Sequence, residues 1–191
     1  MTSGESGQQE ARPVDGVVLA GGAGTRLGGV SKPDLDVAGV RLLDRVLAAV
    51  AGCRRIVVVA PYSVAVPAGV LRTLEDPPGG GPVAGIAAGV EALPDACDGA
   101  VLVLACDLPG VIAAVPALLR AAGRPGAPGD GAIAVDGTGH RQNLVFVAER
   151  GALETALGRG GARDRSARSL LTELALEEVA IAGDAIEDID T

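Results

Sequence analysis

Three short runs built almost entirely from valine, leucine, isoleucine and alanine constrain this chain most: GVVLA (16–20), RIVVVA (55–60) and GAVLVLACD (99–107). None alternates apolar with polar residues, so each predicts a strand buried on both faces. Longer helical stretches separate them: VRLLDRVLAAVA (40–51), GPVAGIAAGVEAL (81–93), IAAVPALLRAA (112–122), GALETAL and SARSLLTELAL. The small residues of the second stretch allow close packing, and Pro116 in the third belongs near a first turn or at a kink. GAIAVD (131–136), NLVFVAE (143–149) and EEVAIAG (177–183) read as further strands. Doubly buried strands alternating with helices predict an α/β chain with a mainly parallel sheet.

The core of such a sheet is unusual here, because the chain has one Phe, one Tyr and no Trp among 191 residues. Aliphatic side chains and alanine must fill it. That length predicts one domain, 13–191, behind a polar, disordered tail, 1–12. The tail has no apolar segment of the kind a signal peptide carries. No apolar run approaches the roughly 20 residues that span a bilayer. The net charge of −8 comes without a basic run, which argues against nucleic acid and membrane partners and for a cytoplasmic protein. An acidic body can still hold a local basic site for an anion. Cys53, Cys97 and Cys106 form no CxxC pair, so they read as reduced thiols rather than a zinc or redox motif. GRPGAPGDG (123–131) reads as a flexible loop.

LAGGAGTRLGG follows the first strand. There Gly21, Gly22 and Gly24 lack a Cβ, so backbone N–H groups can approach phosphate oxygens closely. Arg26 and Lys32 add positive charge around the same anion. Lys32 is the chain's one lysine beside fifteen arginines. Its compact ammonium can follow a phosphate through a reaction, whereas a guanidinium is committed to a planar fork. The bland alternatives are a flexible turn and a solvated lysine. Two standard templates fail: Leu27 stands where the dinucleotide fingerprint needs glycine, and no G-K-[ST] occurs.

Further along, CDLP places Asp107 at a strand end. Its hard carboxylate oxygens suit Mg²⁺ bridged to substrate phosphates, or else it caps a helix starting near Pro109. EDPPGGGPVAGI puts Asp76 before a glycine loop. A carboxylate there can accept from guanine N1–H and the exocyclic amine, or simply start a turn before proline. GARDRSARSLL carries Arg163, Arg165 and Arg168, either a solvated helix start or a guanidinium patch for an acceptor's phosphate. GHRQNL, with His140, Arg141 and Gln142, opens a strand. The terminal DIDT adds Asp188 and Asp190 to an acidic end.

Taken together, LAGGAGTRLGGVSKPDLDVAG, EDPPGGGPVAGI, LACDLP and DIDT, in this order and spacing, resemble the molybdenum cofactor guanylyltransferases. The likeness runs from about Val14 to Thr191. It implies a three-layer, Rossmann-like nucleotidyltransferase fold with a mainly parallel mixed sheet. It implies transfer of GMP from GTP to the phosphate of molybdenum-loaded molybdopterin, with Mg²⁺ as cofactor. Molybdoenzymes or cofactor-pathway proteins would be partners. Arg26, Lys32 and Asp107 would be catalytic, and Leu19, Ala20, Gly21, Gly22, Gly24, Lys32, Asp76 and Asp107 would bind the nucleotide. Asp107 would hold the metal, with Asp190 as a second ligand, and Arg141, Gln142, Arg163 and Asp188 would face the acceptor. The family often has an asparagine beside the base after its second strand; Ala60 and Pro61 stand there instead. Base recognition then falls on Asp76 and the backbone of Leu19 to Gly21. CTP, or a sugar phosphate as acceptor, is the nearest alternative, and a nucleotide-binding or cofactor-handover protein without turnover is the next.

Overall fold

In the computed structural model, described over residues 12–21, 32–94, 99–107, 112–123 and 129–181, the apolar runs lie side by side. The strands are β1 (Val14–Leu19), β2 (Asp36–Val37), β3 (Val40–Arg41), β4 (Ile56–Val59), β5 (Leu71–Thr73), β6 (Ala100–Ala105), β7 (Gly131–Val135), β8 (Arg141–Glu149) and β9 (Leu176–Ala180). The helices are α1 (Leu42–Ala49), α2 (Pro82–Glu91), α3 (Val115–Ala122), α4 (Arg150–Gly158) and α5 (Ala167–Leu171). Among the described residues, seven strands form one sheet in the order β5-β4-β1-β6-β8-β7-β9. Its pairings are parallel except around β8, which runs antiparallel to β6 and β7. The mainly parallel mixed sheet expected from the sequence is therefore present.

The sheet's two faces explain the unbroken apolar runs. Val18, Val58, Leu102, Leu104 and Val145 pack with Leu42, Leu43 and Val46 of α1 and Leu118 of α3. Their neighbours Val17, Val57, Val103 and Phe146 point the other way, onto Val83 and Ile86 of α2, Leu153 of α4 and Leu170 of α5. Alternate side chains thus enter different helix layers, so neither face of a central strand tolerates a polar residue. The exception is Asp15, buried in β1, whose carboxylate accepts Arg54 Nε at 3.0 Å and Nη2 at 2.5 Å. None of the described helices is long and apolar enough to cross a membrane.

Two elements differ from the sequence pattern. The stretch read as a helix from residue 40 begins instead as a hairpin strand, β3, and turns helical at Leu42. The stretch read as a helix over 166–176 is helical for only five residues, from Ala167 to Leu171. Pairing of Leu176 with Gly131 draws the following residues into β9. Pro116 lies in the first turn of α3, as expected. The tail residues 1–11, Cys97, and most of the 123–131 loop lie outside the described residues. Arg12, at the end of that tail, is ion-paired with Glu149.

Candidate functional site

The strand order itself creates a place for a ligand. From β1 the chain moves outward to β4 and β5, then returns to the other side of β1 with β6. At such a switch point the connections leave in opposite directions, and a crevice opens beyond the carboxyl ends of the two strands. Backbone bonds hold its floor: Ala20 N donates to Val59 O at 2.9 Å and Cys106 N to Leu19 O at 2.9 Å. Gly21, exposed, follows. A Cβ on it would meet Val59 O at 3.5 Å and Pro61 Cδ at 3.6 Å, ordinary contacts. The fold alone therefore does not demand glycine there. Gly22, Gly24 and Arg26 lie outside the described residues, as do Asp188 and Asp190.

Lys32 and Asp107 meet at this crevice. Lys32 Nζ is 3.5 Å from Asp107 Oδ2, with the two side chains 24% and 39% exposed. A residue following β1 and one following β6 thus bridge the switch point, 75 positions apart in sequence. Both are wet enough to exchange this partner for a ligand.

Lys32 is held there by a unit that sequence reasoning missed. It opens a 3₁₀ turn, Lys32–Asp34, with Pro33 buried beneath. Leu35 N donates to Lys32 O at 3.1 Å, and Leu42 N to Leu35 O at 2.8 Å. The β2–β3 hairpin turns through Ala38 and Gly39, at φ 53° and 79°. Gly39 N donates to Asp36 Oδ1 at 2.6 Å. Arg41 ties the unit down, donating Nε to Asp34 Oδ1 at 2.9 Å and Nη2 to Ala65 O at 2.6 Å. The available signal was glycine in a two-residue turn between valines, Val37-Ala38-Gly39-Val40.

Cys106 lies between Ala105 and Asp107 in the chain. Burial, and then the Asp107 charge, push its thiol pKa up to about 12. Cys53 is pushed up to about 11, by burial and then Asp15. Both are neutral thiols near pH 7, so neither offers a nucleophile.

Asp76 occupies the same edge of the sheet on the far side of β4, just past β5. It is exposed, and its peptide bond to Pro77 is cis. The loop behind it turns at Gly79 and Gly81, φ 80° and 87°, where a side chain would be strained. Gly79 N donates to Glu75 Oε1 at 3.0 Å. α2 begins directly afterwards, with no side chain capping its first amides.

On the other flank, β8 starts at the carboxyl edge because it is antiparallel to β6. Continuing the register from Leu104↔Val145 sets Gln142 level with Asp107. Gln142 Nε2 donates to Asp136 Oδ2 at 3.0 Å. Asp136 Oδ1 also accepts Thr138 N at 2.9 Å, Thr138 Oγ1 at 2.6 Å and His140 N at 3.0 Å. The Thr138 hydroxyl bond first, then the His140 amide, hold the Asp136 carboxyl down at a pKa of about 2. Sequence reasoning overlooked Asp136, although Asp-Gly-Thr-Gly is an Asx-turn signal. Arg141 points to β9, where its Nε meets Glu178 Oε1 at 2.8 Å. His140 is 81% exposed at its side chain and sits against Thr138 Oγ1.

The arginine cluster separates. Arg165 is a strut, donating to Ala156 O at 2.9 Å and pairing with Glu173. Arg168 is exposed on α5. Arg163 reaches the Asp76 loop, its Nη1 donating to Pro77 O at 3.2 Å.

For Mg²⁺, no group of three Asp, Glu, His or Cys side chains comes together among the described residues. This ion needs fewer, commonly one or two carboxylates with substrate phosphates and water completing the shell. The partly exposed Asp107 carboxylate fits that role.

The family model described as the MobA-like NTP transferase domain matches residues 16–179. No curated protein matches the chain in sequence. Among solved structures, Rv0371c from Mycobacterium tuberculosis H37Rv superposes with a TM-score of 0.72 at 19% identity, covering 95% of this chain and 94% of that one. Molybdopterin-guanine dinucleotide biosynthesis protein A from Archaeoglobus fulgidus gives 0.56 at 21% identity, with 89% and 84% covered. The 2-C-methyl-D-erythritol 4-phosphate cytidylyltransferase from Thermus thermophilus gives 0.62 at 21% identity, with 94% and 93% covered. At these identities the likeness establishes the fold.

Proposed function

We propose that this chain, which belongs to the MobA-like NTP transferase family, transfers GMP from GTP to the phosphate of molybdenum-loaded molybdopterin. The observation that carries the reading is the Lys32–Asp107 pair across the switch point, a mobile cation and a hard anion 3.5 Å apart. The resemblance of the four motifs to the guanylyltransferases supports the acceptor and the base. The archaeal protein shares the fold, as does the cytidylyltransferase, so the fold supports nucleotidyl transfer and the motifs alone support the base and acceptor.

An acceptor phosphate monoester has a second pKa near 6, so it is largely dianionic at neutral pH and needs no general base. It attacks the α-phosphorus in line. A bond forms from its oxygen to that phosphorus, the α–β bridging bond breaks, and pyrophosphate leaves with the electron pair. What the chain supplies is position and charge. The backbone of Leu19 to Gly21 lies along the nucleotide. Asp76 accepts from the guanine edge. Lys32 leaves Asp107 and follows the phosphate oxygens as charge builds on them, and Arg26 is the second cation this reading assigns to them. Asp107, freed, would hold Mg²⁺, which would supply Lewis-acid polarisation and charge neutralisation on the phosphates. Gln142, set by Asp136, faces the acceptor, whereas Arg141 is turned to Glu178 on β9.

The test is pyrophosphate release with Mg²⁺ and molybdenum-loaded molybdopterin, comparing GTP, CTP and ATP, with Lys32→Ala alongside. Release with GTP alone, lost in the variant, is the expected result. Release with CTP alone keeps the chemistry and overturns the base. Folded protein that binds GTP yet releases nothing overturns the acceptor or points to a handover role.

A further inference from the structure

The connection between α4 and α5 makes a two-point contact with the loop that carries Asp76. Arg163 Nη1 donates to Pro77 O at 3.2 Å, and the neighbouring amide, Asp164 N, donates to Gly80 O at 2.8 Å. These bonds flank the loop, one just after Asp76 and one just before Gly81, the cap of α2. Asp164 sits at φ 57°, a left-handed conformation uncommon outside glycine. A cost of that kind is retained where surrounding contacts fix it, and here the same residue gives its N–H to Gly80.

The contact is close because the loop is glycine. A Cβ on Gly80 would lie 2.7 Å from Ala84 Cβ and 3.5 Å from Arg163 Nη1. One on Gly81 would lie 3.9 Å from Arg165 O. The loop is thus pressed between the first turn of α2 and the 163–165 segment. That segment is itself anchored, since Arg165 donates to Ala156 O at 2.9 Å and pairs with Glu173. An exposed carboxylate such as Asp76 has no packing to hold it, so the loop backbone decides where it stands.

We propose that Arg163 is a positioning residue for nucleobase selection. It braces residues 75–81 through the Pro77 carbonyl and so sets where Asp76 meets the base, instead of binding the acceptor's phosphate. The proposal rests on the reading of Asp76 as the residue that meets the base.

The test uses the full chain with Arg163→Ala and Arg163→Lys. Amide hydrogen exchange at Gly79 and Asp164 reads the brace. Calorimetric binding of GTP and of CTP without acceptor reads selectivity, and steady-state kinetics read KM for the acceptor. In Arg163→Ala both amides exchange faster, and the preference for the favoured over the rejected nucleotide falls by about tenfold, the loss of one charged hydrogen bond. The acceptor KM stays unchanged, and Arg163→Lys, which can still donate to Pro77 O, recovers most of the preference. Unchanged exchange overturns the brace. Faster exchange with both nucleotides weakened equally, or a raised acceptor KM with nucleotide binding intact, overturns the selection role. A wild-type preference for CTP would sink the guanine assignment while leaving the brace to be judged on exchange and the preference ratio. Wild-type protein that binds neither nucleotide refutes the selection role together with the functional reading, and exchange still decides whether the brace exists.

Discussion

Gly89 lies in the last turn of α2, against the centre of the sheet, and Gly89→Ala tests how closely that helix must approach. A Cβ there would fall 2.5 Å from Val17 Cγ1, 3.1 Å from Val59 Cγ2 and 3.3 Å from Val17 Cγ2. Apolar carbons rest at about 3.5–4.0 Å, so α2 has to lift by about 1 Å. The valines cannot give way: Val17 is 0% and Val59 2% exposed, both in the central strands. Overpacking of this kind costs about 1–3 kcal/mol. The clash stands at the severe end, about 2–3 kcal/mol, and the better helix propensity of alanine returns about 1 kcal/mol. The net loss is about 1–2 kcal/mol, or a fall in Tm of about 2–8 °C for a domain of this size. Gly85→Ala is the internal control. Its Cβ would meet only the tip of Leu19, Cδ2 at 3.3 Å, and Val59 Cγ1 at 3.7 Å, so the propensity gain should leave it neutral or stabilising. Thermal and urea unfolding of both variants beside the wild type measure this. If Gly89→Ala is as stable as the wild type, the helix does not sit at this height and the reasoning fails. Because α2 starts where the Asp76 loop ends, the same lift should also raise KM for the nucleotide.

Two further outcomes follow from the site. Asp107→Asn should abolish Mg²⁺-dependent turnover while leaving the unfolding curve nearly unchanged, since Asp107 is 39% exposed at its side chain and its ion partner is solvent-accessible; full activity in that variant removes Asp107 from the mechanism. Asp136 is held at a pKa of about 2 in the fold, below the roughly 3.9 of an unfolded aspartate. Its stabilisation of the 136–142 turn is therefore complete above about pH 4 and lost as pH falls through about 2. Amide exchange at Thr138 and His140 across that range should show it, and Asp136→Asn should remove the pH dependence; a titration near 4 in the native protein contradicts the hydrogen-bond assignment.

What the sequence by itself determined is the layered architecture, and the reason is burial. A strand covered on both faces must be apolar at every position, so Val17–Leu19, Val57–Val59 and Val101–Ala105 announce themselves without any tertiary information. Asp107 was legible for a related reason: a charged residue at the end of such a run can only lie at the sheet's edge. Local pattern held only a faint signal of the hairpin at 36–41, the two-residue turn at Ala38-Gly39, because VRLLDRVLAA has helical spacing throughout; pairing with Asp36 and Val37, and the bonds from Gly39 to Asp36 and from Arg41 to Asp34, make a strand of its first residues. It could not show Asp136 as the residue that sets Gln142, since that needs the turn's geometry. Nor could it sort the arginines. Arg163 and Arg165 are two apart in sequence and look alike there, yet one reaches Pro77, 86 positions away, and the other ties α4 to Glu173. The Lys32–Asp107 approach likewise belongs to the tertiary structure alone: it exists because β1 and β6 are neighbours in the sheet while the chain between them runs out through β4 and β5 and back.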